Sequence, residues 1–204
     1  MVAQINAEKV GEPVWELAHL FPYQGYWTEE EYLALNTNHL IEYSDGFLEV
    51  LPMPTMAHQD IVSFLYHLLR AFVIQRNLGK VYFAPLRVRL ARKEYREPDV
   101  VFLSMERLKH TTGDYPQGAD LVMEVVSGSQ ADRERDLVTK RQVYAYFGIL
   151  EYWIVDPKEE QIIVLRLEGE KYIEHGRFGK GEQATSFLLT GFNAIVDEVF
   201  AATA

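Results

Sequence analysis

The chain has no cysteine among its 204 residues, so it can form neither a disulfide framework nor a thiolate metal site. That absence fits a reducing compartment, and a cytoplasmic location is expected. No apolar stretch approaches the roughly 18 residues of a membrane span, and nothing near Met1 joins a basic start to an apolar run, so no membrane association is expected. Repeats and low-complexity segments are lacking too. Positive charge is scarce: 20 Lys and Arg face 30 Asp and Glu, a formal net charge of -10. A field of that sign repels phosphate and argues against tight non-specific binding to nucleic acid, though it leaves room for a local basic cleft or for compensation by bound metal.

What the chain does have is apolar and aromatic residues, 48% and 13% of the total, enough for a core. Its length suits one domain, expected over 28–204 after an N-terminal arm at 1–27. Thr28 with Glu31 three residues on forms a capping box that starts a short helix. The Asp45-Gly46 pair between Leu40–Tyr43 and Phe47–Leu51 predicts a tight hairpin. From Thr55 to Gln75 apolar residues recur at helical spacing. Val81–Leu90 reads as a strand with Arg87 and Arg89 on one face, Arg92–Glu97 as a charged turn, and Val100–Leu103 as an apolar strand opened by Pro98-Asp99. Ser104 is expected to cap a short helix before a loop at Thr111–Gly118. Beyond Pro157, Gln161–Leu167, Lys171–His175 and Thr185–Leu189 read as strands, the first two joined through Glu168-Gly169-Glu170.

Leu121 to Lys140 is the most informative stretch. Leu121–Val126 is apolar on both faces of a strand, yet Glu124 shares a face with Val122 and Val126. An unpaired carboxylate there costs several kcal/mol, so Glu124 needs a cation, a strong donor or a metal. On a helical wheel Leu137, Val143, Tyr144 and Phe147 form the inward face of the next helix, with Lys140 in its middle and Asp136 one turn before it. A short strand at Tyr152–Val155 then completes a strand-helix-strand crossover, so part of the sheet is expected to be parallel.

Asp99 and Glu124, on neighbouring strands, form an oxygen site suited to Mg²⁺ or Mn²⁺, with the Val125 carbonyl as a further ligand. A cation so held can activate water, and Lys140 beside it can orient that water or stabilise developing negative charge. Each residue has a plainer reading. Asp99 can cap a turn, Glu124 can be neutralised by Arg87 or Arg89, and Lys140 can snorkel or pair with Asp136. His58, at the start of a helix, is either an aid to proton transfer or a surface residue. Tyr144 and the Tyr152-Trp153 pair read as core rather than base-stacking platforms. Arg133, Arg135 and Arg141 suit either a phosphate-facing helix edge or a solvated face.

Pro98-Asp99 with Glu124-Val125-Val126 resembles the two halves of the PD-(D/E)XK nuclease motif, with Val126 where that motif has lysine. The longer pattern of Glu124 to Ser127, Asp136, Lys140, Tyr144, Gly148 and Glu151 to Pro157 is similar to a family of endonucleases long held as a domain of unknown function. With the hairpin, the proline-rich step and His58, the likeness spans roughly Glu30 to Pro157. It implies an α/β, restriction-endonuclease-like fold: a mixed central sheet flanked by helices, with additional antiparallel strands at both ends. It also implies metal binding by Asp99 and Glu124, with Lys140 on the helix replacing the strand lysine. Glu42 would be the upstream acid, in competition with Glu49 and Asp60. DNA is then the expected substrate, and a homodimer suits an enzyme that must meet both strands of a duplex. The alternative is a non-catalytic nucleic-acid-binding or protein-interaction module that retains the fold.

Overall fold

The computed structural model describes residues 21–37, 39–127 and 133–203. Most of the arm expected at 1–27 lies outside these residues. Its described end is not free of the domain, because Gly25 N–H donates to the Gly46 carbonyl at 2.7 Å and the Tyr43 hydroxyl donates to the Trp27 carbonyl at 2.9 Å.

A six-stranded mixed sheet forms the centre. In chain order its strands are β3 (Gly79–Phe83), β6 (Val100–Ser104), β7 (Leu121–Val125), β8 (Glu151–Asp156), β9 (Gln161–Glu168) and β10 (Lys171–Phe178), and in space they run β10-β9-β8-β7-β6-β3. Among the described strands of this sheet only β7 and β8 run parallel, as the crossover between them demands. The alternation of β7 sorts the core. Leu121, Met123 and Val125 face α2 (Met56–Gln75), which contributes Ile61, Leu65, Leu69 and Val73. Val122 and Val126 face the crossover helix α4 (Lys140–Tyr146), which contributes Tyr144 and Ala145. Both layers are well filled, so shortening Leu65 or Leu69 to alanine is expected to cost about 2–5 kcal/mol.

An antiparallel sheet of β1 (Ile41–Ser44), β2 (Phe47–Val50), β4 (Val88–Ala91) and β5 (Glu94–Arg96) lies in the order β2-β1-β5-β4. The hairpin turn is the expected tight one, with Asp45 at φ 39° and Gly46 at φ 92°. Gly46 is required twice over, since a Cβ there would also lie 2.5 Å from the Gly25 carbonyl oxygen. Helix α1 (Glu29–Leu33) has the full Thr28/Glu31 capping box, and Ser104 caps α3 (Met105–His110). At the far end β11 (Gln183–Thr185) pairs with β12 (Asn193–Ile195) before α5 (Val196–Ala201).

Three readings of the sequence are corrected. Val81–Leu90 is not one strand: it breaks around Pro85, which has no N–H for a ladder, and β3 and β4 fall in different sheets. Arg92–Glu97 is not only a turn, because Glu94–Arg96 is a buried strand whose charges find partners. The strand expected at Thr185–Leu189 ends at Thr185, and a turn follows. No helix among the described residues is long and apolar enough to cross a membrane.

Candidate active site

β6 and β7 are antiparallel with Val100 opposite Met123, and the same register carried one step further sets Asp99 opposite Glu124. The carboxyl end of β7 therefore holds both acids. The Asp99 Oδ2 oxygen accepts the Val125 N–H at 2.8 Å and lies 3.3 Å from His58 Nε2, on the first turn of α2. Glu124, 3% exposed, lies on the face of the sheet that it shares with Val122 and Val126, under α4.

The helix delivers Lys140 to Glu124. A π-helical turn at Arg135–Thr139 precedes α4, and in that wider turn Asp136 and Lys140 still share the inward face. Lys140 Nζ lies 2.9 Å from Glu124 Oε1, 3.5 Å from Asp136 Oδ1 and 3.6 Å from Glu42 Oε1. The Tyr144 hydroxyl, one helical turn on, donates to the same Glu124 Oε1 at 2.5 Å. The tyrosine is thus core, as read, and also touches the site. The cation beside Glu124 is neither arginine proposed from sequence: Arg87 sits 3.5 Å from Glu97, and Arg89 pairs with Glu29 at 3.0 Å.

Glu42 arrives from β1, held by Arg96 at 3.4 Å and by the Glu97 N–H at 3.2 Å. Its rivals do not reach the cluster. Glu49 meets only Arg135 at 3.4 Å among these residues, and Asp60 is exposed on α2. The three arginines divide. Arg133 makes a two-pronged pair with Asp156, at 2.8 and 2.7 Å, Arg141 donates to the Tyr172 carbonyl, and Arg135 lines the cleft. None presents a simple solvated face.

Asp99, Glu124, Val125, His58, Asp136 and Lys140 thus border one cleft of about 40 Å³, room for a few waters. Its charge is unbalanced: the carboxylates of Glu97, Asp99, Glu124 and Asp136 face the cations Arg135 and Lys140. Burial pushes Glu124 up to about 8 against the pull of Lys140, with Asp99 and Asp136 adding to the rise. Lys140 itself is held above its ordinary value: burial opposes its charge, but Glu124, Glu42 and Asp136 outweigh that. The lysine therefore stays charged, and the surplus of acid shifts the buried carboxyls towards their neutral form. Burial alone would lower His58, yet its bond to Asp99 and the charges of Asp99 and Glu124 raise it.

The residues present fit a divalent cation. The bonds and ion pairs of Glu124 fall on Oε1 and those of Asp99 on Oδ2, so among the described residues each acid keeps one oxygen without a bonded partner. No three His, Asp or Glu side chains among the described residues cluster as a ready-made metal cage. Two carboxylates and a carbonyl suit a hard ion that keeps several waters. Glu97 was missed by the sequence reading. It is buried, one of its oxygens lacks a hydrogen bond, and burial raises it to about 7 despite Arg87. Its position two residues before Asp99 in an extended run was the available signal.

A family model described as "Uma2: Putative restriction endonuclease" matches residues 29–197, and the chain belongs to that family. Among solved structures the fold matches the crystal structure of "a putative nuclease belonging to DUF820" from Anabaena variabilis, with a TM-score of 0.69 and 20% identity over 87% of this chain and 99% of that one. At that identity the likeness concerns the fold, which is restriction-endonuclease-like. No match was found among curated proteins.

Proposed function

We propose that this member of a nuclease-like family is a divalent-metal-dependent endonuclease that hydrolyses DNA phosphodiester bonds. The observation that carries the reading is the meeting of Asp99, Glu124 and Lys140 at one cleft, each acid with a free oxygen. Asp99, Glu124 and the Val125 carbonyl would hold Mg²⁺ or Mn²⁺. When bound, the ion would supply charge to offset the phosphoryl oxygens and would acidify a water.

The chain's own groups do the rest. Lys140 Nζ, aimed by Glu42 and Asp136 and kept protonated by them, donates to the attacking water or to the oxygen that gains charge. Tyr144 fixes the Glu124 carboxyl by its hydroxyl bond. His58 keeps Nε2 on Asp99, and its Nδ1, buried without a hydrogen bond, can carry a proton at the cleft mouth. The neighbouring walls keep Glu124, Asp136 and Lys140 nearly dry, which strengthens every charge interaction among them.

The test is cleavage of plasmid and single-stranded DNA by purified protein with Mg²⁺ or Mn²⁺. The wild type should cleave, and Asp99→Ala and Lys140→Ala should each lose about 100-fold or more. Equal cleavage by all three would place the activity in a contaminant. Calorimetry without any Mg²⁺ or Mn²⁺ binding that depends on Asp99 and Glu124 would favour a non-catalytic module instead.

A further inference from the structure

The acidic cleft lies beside a larger groove. The two share Pro52, Pro54, His58, Val125 and Ser127 in their walls, so a group in one is within one residue's width of the other. The groove has about 530 Å³ of space, within the usual range for a small organic ligand and far more than the cleft offers. Its character differs as well. Met53, Ile61, Val126 and Phe200 make it largely apolar, while Arg133, Lys158 and Glu160 also line it. Lys158 is exposed and free to meet an anion, whereas Arg133 is spent on Asp156.

An acidic cleft fit for a cation and a phosphate, adjacent to an apolar slot that a lysine also lines, has the chemistry of one nucleotide. The phosphate belongs with the metal-binding acids and the base with the apolar walls. In a duplex the base points to the helix axis and is stacked and paired. Turning it out into such a slot costs a few kcal/mol, least for a base already unpaired. The net charge of -10 acts in the same direction, because a duplex packs more phosphate charge into each unit of length than a single strand.

Building on the nuclease reading above, we propose that this groove receives the base of an unpaired nucleotide whose phosphate lies in the cleft. The preferred substrate is then single-stranded or locally unpaired DNA rather than intact duplex. Phe200 offers a ring for the base, and Lys158 a charge for a neighbouring phosphate.

The experiment is equilibrium binding in Ca²⁺ of three oligonucleotides of one length: a single strand, a blunt duplex of that sequence, and a strand without bases. The single strand should bind at least tenfold tighter than either of the others. Ala57→Trp and Thr203→Trp fill the groove from two exposed wall positions outside the acidic cluster, so folding should be kept, as thermal melts will show. Each should bring the single strand to the level of the strand without bases. A duplex or a baseless strand that binds as tightly as the single strand, or no binding by any of them, would overturn the proposal. Cleavage in Mg²⁺ by the same preparations separates the two readings. Cleavage of duplex with no preference for the single strand sinks the groove and keeps the nuclease, whereas preferential binding of the single strand with no cleavage sinks the nuclease and keeps the groove.

Discussion

The parallel pair β7–β8 buries acids at both of its ends and treats them in opposite ways. At the amino end Asp120 accepts from the Ser104 N–H at 2.6 Å and from Arg107 at 2.9 Å. Glu151, fully buried opposite Leu121, accepts from the Trp153 indole at 2.6 Å, the Ser186 hydroxyl at 2.7 Å and the Leu188 N–H at 2.6 Å. At the carboxyl end, among the described residues, Glu124 and Asp99 each keep an oxygen without a bonded partner, and His58 Nδ1, Glu97 Oε2 and Asp136 Oδ1 are buried without a hydrogen bond. Burial is the same at the two ends, so burial does not mark function. What separates them is saturation: donors fill the acids at one end, and the other end is left short of positive charge.

That contrast can be broken most decisively by activity. Glu124→Gln should lower metal-dependent cleavage by about 100-fold or more, while Glu151→Gln leaves the rate per folded molecule unchanged. Single-turnover kinetics below the melting transition would measure both, and equal losses would erase the distinction.

Stability should rank the same residues the other way. Glu151→Ala strands two buried donors and a half-buried one and is expected to cost about 3 kcal/mol in urea unfolding. Glu124→Gln should stay within about 1 kcal/mol, because Lys140 retains Glu42 and Asp136 and the surplus of acid is relieved. Metal should sharpen the picture next. At 100 times its dissociation constant Mg²⁺ is expected to add about 2.7 kcal/mol to the wild type, read as a rise in Tm, and nothing to Asp99→Ala.

The smallest effect tests whether saturation or position decides. Asp156 lies at the same end as the cleft but is saturated by Arg133. Burial would raise its carboxyl, yet the Arg133 bonds and the backbone N–H groups of Glu159 and Lys158 hold it below the usual carboxylate range. Its folded value lies below its unfolded one, so its contribution is complete above the unfolded pKa near 3.9 and is lost as pH falls through the folded value. Asp156→Asn should therefore cost about 1.5 kcal/mol at pH 6 and progressively less in acid, by urea unfolding at each pH. A loss that persists unchanged at low pH would mean that Asp156 acts through packing rather than charge.

The segment from β7 to β8 was legible because its signals are local. Period two in Leu121–Val125, period 3.6 around Tyr144 and an acid out of place at Glu124 all fit within a few turns of chain. The β4–β5 region was not, because Glu94 and Arg96 look solvated until β1 supplies Ser44 and Glu42 as partners some 50 residues away. Charge pairs of that separation leave no periodicity. For the same reason the sequence could propose Glu42, Glu49 and Asp60 as upstream acids, and only the pairing of β1 with β5 set Glu42 beside Lys140. The break at Pro85 was legible in principle, since a residue without an N–H interrupts a run that otherwise alternates well.

The π-helical turn before α4 makes the cleft sensitive to length rather than to chemistry. Arg135–Thr139 holds one more residue per turn than an α-helix closed by the same ends would need. Loss of a single residue there, such as exposed Val138, would let an ordinary α-helix form between the same ends and bring Asp136 from four residues before Lys140 to three. Asp136 would stay on the lysine's side of the helix but meet it at a changed angle, with every side chain of the cluster still present. A one-codon deletion thus changes the aim of the lysine without removing any charged group of the cleft.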